Sequence, residues 1–290
     1  MKIFHHNDAD GRCAAAIAIR YAMTGTVSFK DTELIEMDYK DSVDIERIKP
    51  KEDIIIVDFS FKPEIMNKVL EKTDNIFWLD HHETAFKYEP LYSKSILGLR
   101  SEAFSGCELA WQYFCGDKQM PRSVELIGDY DKWALKFQPE CFEFYEGLKM
   151  EDTSPNSSLW DRLLESIQQD AKDGWFDSIL HQGRSAIKYR DNYCEKMCHD
   201  FGYETELDGH KAFACNIYQF GSKGFGERMN QYPFCIAYAY DGRRWTVSLY
   251  SINGVKVNEI CAKYGGGGHP GAAGFVTDSL PFEKELKDKK

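Results

Sequence analysis

The run IIIVDFS, residues 54–60, sets four aliphatic residues directly before an aspartate. Such a run has no polar face, so it reads as a short strand covered on both sides. The same pattern, a short apolar run ending in His or Asp, recurs in KIFHHNDADG (2–11), IFWLDHHET (76–84) and VELIGDYD (124–131). Strands are predicted at Lys2–Phe4, Leu34–Met37, Ile54–Val57 and Ile76–Leu79. Helical patterns lie between and after them, at Cys13–Met23, Pro63–Glu71, Ser105–Phe114 with Ser105 as N-cap, and Pro121–Ile127. Strands alternating with helices predict an α/β domain: a parallel sheet with helices on both faces.

At 290 residues the chain is long for one core, and two domains are expected. The pattern weakens into Pro, Ser and acidic residues around Pro139–Ser158. A helical connector is therefore predicted over 141–204, with helices at Ser158–Asp170 and Phe176–Cys198. Strands at Ala212–Tyr218, Cys235–Tyr240 and Trp245–Tyr250, with a helix at Val257–Lys263, predict a smaller α/β domain over 205–290, leaving 1–140 as the first domain.

Hydrophobic content of 43% and charged content of 29% place the chain among globular proteins. No apolar run is long enough for a bilayer. The first strand begins at once and leaves no room for a signal peptide, so a cytoplasmic protein is expected. Nine scattered cysteines fit reduced, buried thiols. Cys194, Cys198 and His199 have no second ligand pair, and their spacing also marks one buried helix face. The net charge of −11 argues against long duplex nucleic acid as a partner, because phosphates are usually met by a basic face.

If the strands are parallel, His6, Asp8, Asp10, Asp58, Asp80, His81 and His82 leave the carboxyl edge of one sheet, where ligands bind in such folds. Gathered carboxylates repel unless cations lie among them, and two divalent ions would balance four. Oxygen ligands with imidazole and no thiolate suit manganese or magnesium. Each aspartate alone could be a cap for the following helix. Asp80 could equally be a carboxylate that orients a histidine.

The series HNDADG, VDFS, DHHET and GDYDKW, followed by GGGGHPGAAGF, resembles the signature of the DHH/DHHA1 phosphoesterase family. The resemblance covers both ends of the chain and leaves roughly 140–205 unmatched. It implies a DHH domain and a DHHA1 domain facing each other across a substrate cleft, and two manganese ions. It implies His6 and Asp8 on one ion, Asp10 on the other, and Asp58 bridging both. His81 and Asp129 would complete the second site. DYD offers both Asp129 and Asp131, and Asp129 is expected because it directly follows the apolar run. Catalytic roles fall to Asp58, His82, as a contact to the substrate phosphate, and Asp80. A two-metal centre can acidify a water and clamp phosphoryl oxygens, so no covalent nucleophile is needed.

The glycine run has two readings. Gly266, Gly267 and Gly268 could let the backbone approach a phosphate, with His269 adding a hydrogen bond. Alternatively, the run is a tight turn where only glycine fits. Tyr250-Ser251 stands where related proteins often carry Arg-Ser, and Arg100, Arg243 and Arg244 are the candidate substitutes. The resemblance predicts hydrolysis of short RNA or dinucleotides to nucleoside monophosphates. Cyclic dinucleotides, 3′-phosphoadenosine 5′-phosphate and a non-catalytic nucleotide sensor are the alternatives. The sequence does not fix the oligomeric state; Trp133, Tyr145 and Trp160 are the aromatics available to a homodimer interface.

Overall fold

A computed structural model describes residues 1–21, 32–39, 41–165 and 174–282. The chain divides into two compact units, Met1–Ser185 and Ala186–Lys290.

The first unit is built on four parallel strands: β1 (Lys2–His6), β2 (Glu33–Met37), β3 (Ile54–Val57) and β4 (Ile76–Leu79), in the order β2-β1-β3-β4. Phe4 pairs with Ile56, and Ile56 with Trp78, so the strands end in register. Their buried runs separate two apolar layers. On one face Ile3, Ile55, Val57 and Leu79 pack with α1 (Ala9–Tyr21), α4 (Gly106–Cys115) and α5 (Arg122–Asp131). On the other, Phe4, Ile54, Ile56 and Trp78 pack with α2 (Pro63–Lys72). Between these helices lies the short α3 (Glu83–Tyr88), which the sequence reading left out. Ser105 caps α4 in a reciprocal box with Glu108.

The expected connector is only partly one. A helix missed in the sequence, α6 (Glu140–Leu148), buries Cys141, Phe144 and Leu148 in the core of the first unit. From α7 (Leu159–Glu165) the same core takes Leu159, Trp160, Leu163 and Leu164, and from the start of α8 (Trp175–Phe201) it takes Phe176, Ile179 and Leu180. The remainder of the helix expected to reach Asp170 lies outside the described residues. Trp160 is fully buried and unavailable to an interface, whereas Trp133 is 56% exposed. Two glycines bring α6 and α8 together. A Cβ on Gly147 would lie 2.1 Å from the Ile179 carbonyl oxygen, and one on Gly183 would lie 1.7 Å from that of Glu143.

The second unit carries a six-stranded mixed sheet ordered β5-β6-β7-β8-β10-β9. Its strands are β5 (Tyr203–Leu207), β6 (His210–Cys215), β7 (Phe234–Tyr240), β8 (Trp245–Tyr250), β9 (Gly267–His269) and β10 (Ala272–Thr277), and only β6 and β7 are parallel. Two short helices complete it, α9 (Arg228–Gln231) and α10 (Val257–Lys263). One face buries Val247, Leu249 and Phe275 with Val257, Ile260 and Cys261 of α10; the other buries Phe213, Cys215 and Cys235 with Cys198 and Phe225. Cys194 and Cys198 are buried while the His199 side chain is 80% exposed, so they do not form a ligand cluster. Among the described residues no helix is long and apolar enough to cross a membrane.

Gly183→Ala tests the α6–α8 contact. Overpacking costs about 1–3 kcal/mol and outweighs the roughly 1 kcal/mol that Ala gains over Gly in a helix. A lower urea midpoint than wild type is expected in equilibrium unfolding.

Candidate metal centre

The matched strand ends place His6, Asp58 and Asp80 in one row at the carboxyl edge of the sheet. Asp58 follows β3 directly and adopts φ +55°, a left-handed conformation uncommon for a residue with a side chain. Its N–H donates to the Leu79 carbonyl at 2.8 Å, which ties this bend to β4. Gly106 lies against it: a Cβ there would stand 2.5 Å from the Asp58 Cβ. Asp58 is fully buried, and among the described residues neither carboxylate oxygen has a hydrogen-bond partner.

The neighbours of Asp58 form two groups. His6 Nδ1 lies 2.7 Å from Asp8 Oδ2 and 3.8 Å from Asp58 Oδ2. On the other side, His81 Nε2 lies 3.1 Å from Asp58 Oδ1, 3.3 Å from Asp131 and 3.8 Å from Asp10. The His81 Nε2 is also buried without a hydrogen-bond partner among the described residues. His6, Asp8 and Asp58 each offer one ligand atom within the reach of a single ion, as do Asp10, His81 and Asp131. Orphaned buried oxygens between two imidazole–carboxylate groups fit divalent cations, and the absence of thiolate favours hard ions.

The structure corrects the fourth motif. Asp129 points away from the cluster: its carboxylate accepts the N–H groups of Lys136 at 2.8 Å and Phe137 at 3.0 Å. Residues two apart on a helix face roughly 200° from each other. Asp131, on the last turn of α5, is therefore the aspartate that reaches Asp10 and His81.

Protonation follows position. Burial first, then Asp10 and Asp8, raises the Asp58 carboxyl well above the ordinary range. The same causes push Asp131 up to about 9. Burial lowers His81 and so favours the neutral imidazole, the form that binds metal. Burial is the largest influence on His6 and His82 and opposes their charge, but the hydrogen bonds to Asp8 and Asp80 and the nearby carboxylate charges together outweigh it and raise both.

Asp80 is enclosed by protein donors. Its Oδ1 accepts from the His81 and His82 N–H groups at 2.8 and 3.1 Å and meets His82 Nδ1 at 2.8 Å, while Ser60 Oγ donates to Oδ2. It orients His82. Asp8 and Asp10 combine the two readings open to them: Asp8 Oδ1 accepts from Gly11 N–H at 2.9 Å, and Asp10 accepts from Gly106 N–H at 2.6 Å and Cys107 N–H at 2.9 Å at the start of α4.

The other candidate residues are not members of these ligand groups. Arg100 is paired with Glu89 and its guanidinium lies over the Trp78 ring, so its charge is already engaged. Arg244 pairs with Asp278 at 2.9 Å. The glycine run forms an edge hairpin, with His269 paired to Ala272 and Gly267 to Gly274. A Cβ on Gly266 would lie 2.1 Å from the Gly274 oxygen, and one on Gly268 would lie 2.7 Å from that of Ala272, so strand packing requires both glycines. Gly267 has open space beside it, and His269 is exposed. Tyr250 is half-buried beside Phe225, their ring centres 6.3 Å apart.

The DHH family N-terminal domain matches residues 1–130, and the DHHA1 domain matches residues 227–289. The chain is a member of the DHH/DHHA1 phosphoesterase family. Uncharacterized protein R106 of Acanthamoeba polyphaga mimivirus is 26% identical over 261 residues, which cover 83% of this chain and 57% of that protein. The chain thus spans little more than half the length of that relative. The pGpG-specific phosphodiesterase PggH from Vibrio cholerae superposes with a TM-score of 0.53 at 14% identity, covering 96% of this chain and 92% of its own. RecJ from Thermus thermophilus, in complex with Mn2+, superposes with a TM-score of 0.50 at 14% identity, covering 96% of this chain and 49% of its own. Identities this low show a shared DHH/DHHA1 fold.

Two measurements check the centre in this DHH domain. Asp131→Asn is expected to lower Mn2+ affinity, read by calorimetric titration, by about 10-fold or more. Asp129→Asn should leave that affinity near wild type and instead lower the melting temperature, since it weakens two buried hydrogen bonds. Stability should also couple metal to pH. Without metal, the raised Asp58 and Asp131 carboxyls hold protons in the folded state that the unfolded chain releases near pH 4, about its ordinary carboxylate value. Folding then weakens as pH rises towards the Asp131 value of about 9. The gain in melting temperature from Mn2+ should therefore be larger at about pH 8.5 than at about pH 6, by a few degrees. An equal gain at both values would contradict this assignment.

Proposed function

We propose that the chain is a manganese-dependent phosphodiesterase that hydrolyses dinucleotides and very short oligoribonucleotides to nucleoside monophosphates. The observation that carries this reading is Asp58: a fully buried carboxylate with no donor on either oxygen, set between two imidazole–carboxylate groups. His6, Asp8 and Asp58 would hold one ion, and Asp10, Asp58, His81 and Asp131 the other. A bound pair of divalent ions supplies an acidified water and neutralises phosphoryl charge.

The chain's own residues do the positioning. Ser60 and the two backbone donors fix Asp80, and Asp80 holds His82 by Nδ1, leaving Nε2 as the ring nitrogen able to donate to a phosphoryl oxygen. That contact stabilises charge building on phosphorus. Asp10, anchored at the start of α4, keeps its oxygens from moving as charge develops. The net charge of −11 supports a substrate of few phosphates over a long polymer. Likeness in fold to a phosphodiesterase specific for a linear dinucleotide, and to a manganese-binding relative, supports the choice of substrate and metal.

The test is turnover with Mn2+ of a 5′-labelled dinucleotide, a 20-mer, a cyclic dinucleotide and 3′-phosphoadenosine 5′-phosphate, side by side. The dinucleotide should be cleaved fastest; no cleavage of it with metal present would refute the reading. Asp58→Ala should abolish cleavage, and Asp80→Asn should slow it about 10–100-fold by releasing His82.

A further inference from the structure

A cavity of about 290 Å3, with Asp8 of one ligand group in its lining, opens in the first unit. Asn7, Arg12, Tyr145, Leu148 and Glu151 wall it. Its volume falls at the lower end of ligand pockets, roughly 300–1,000 Å3, room for one nucleoside and not for two.

The cations in its wall are already paired. Arg12 forks onto Glu36 at 2.7 and 3.1 Å and donates to Thr153 at 3.0 Å, and Lys149 pairs with Glu146 at 3.0 Å. The cavity is thus poorly suited to a second phosphate. A ring and a side-chain amide beside an aliphatic residue suit a sugar and base instead. Asp8, a member of the cluster, marks the end where that ligand's phosphate belongs.

Tyr145 is held in place for such a contact. Its ring stacks on Tyr130, 3.7 Å between centres and 14° between planes, and Tyr130 sits between Asp129 and Asp131 on α5. The half-buried hydroxyl is close enough to sense the charges of Asp8 and Asp131, yet no described residue forms a hydrogen bond with it. A fixed phenol with an unengaged donor is a ligand contact that costs little ordering on binding.

We propose that this cavity seats the nucleoside of a nucleoside 5′-monophosphate whose phosphate lies among the metal-site residues, with Tyr145 and Glu151 setting its affinity. This assignment rests on the phosphodiesterase reading for its ligand class, and it makes the cavity the product subsite of that reaction.

Calorimetric titration of the Mn2+-loaded full chain with adenosine 5′-monophosphate, and separately with inorganic phosphate, tests it. Wild type should bind the nucleotide about tenfold or more tighter than phosphate, the difference being the buried nucleoside. Glu151→Trp, which puts a large ring into the lining, should erase that difference and leave phosphate and Mn2+ affinities unchanged. Tyr145→Phe keeps the stack on Tyr130 and should weaken the nucleotide about fivefold by loss of one hydrogen bond. Nucleotide binding no tighter than phosphate, or unchanged affinity in either variant, overturns the assignment. Nucleotide binding through both residues in a protein that leaves the dinucleotide intact would refute the phosphodiesterase reading and keep the cavity. Dinucleotide cleavage with nucleotide affinity indifferent to both residues would do the reverse.

Discussion

A carboxylate taken out of water needs either donors or cations, and Asp58 has no donor on either oxygen among the described residues. Much of the first unit is arranged around that condition. The parallel register ends β1, β3 and β4 together, so His6, Asp58 and Asp80 meet at one edge. The left-handed bend at Asp58 turns its carboxylate into the space between the two ligand groups, and the missing side chain at Gly106 leaves room for it. A backbone held in such a conformation costs free energy, about 1–3 kcal/mol, and persists only where its surroundings fix it. Here the fixing partners are the Leu79 carbonyl and the start of α4.

The surrounding acids share their oxygens between protein and site. Asp8 gives one oxygen to the Gly11 N–H and the other to His6. Asp10 is held by backbone donors of α4, and Asp80 is wholly occupied by His81, His82 and Ser60. Asp8 and Asp10 are thus immobilised by the starts of α1 and α4, and Asp80 by Ser60 and the turn that leads into α3. That is how a site reaches the rigidity that phosphoryl transfer, mostly a matter of positioning, requires.

Much of this was readable from the residues. Continuous apolar runs such as IIIV and IFWL can only be doubly covered strands, and the ligand types at their ends follow from the fold. Other parts were hidden for physical reasons. The helix α6 follows Pro139 and carries charged residues among its buried ones, and its packing depends on Gly147, which propensity counts against a helix. The choice between Asp129 and Asp131 turns on helical phase at the last turn of α5, and the apolar run before them could not report it. In the glycine run the packing reading holds at Gly266 and Gly268, while Gly267 stands in the open. The difference lies in how β10 folds back onto the run, which the glycines themselves do not reveal.

The triplet Asp129-Tyr130-Asp131 divides three tasks among adjacent positions: one residue clamps the turn to Phe137, the next braces Tyr145, and the third enters the cluster. Two chemically identical aspartates are therefore not interchangeable, and no single substitution can shift a task from one to its neighbour. A lineage carrying this triplet could drift in what surrounds it but would have to inherit its order intact. Insertion or deletion of one residue here would exchange the clamp, the brace and the ligand together, while leaving the composition of the motif almost untouched.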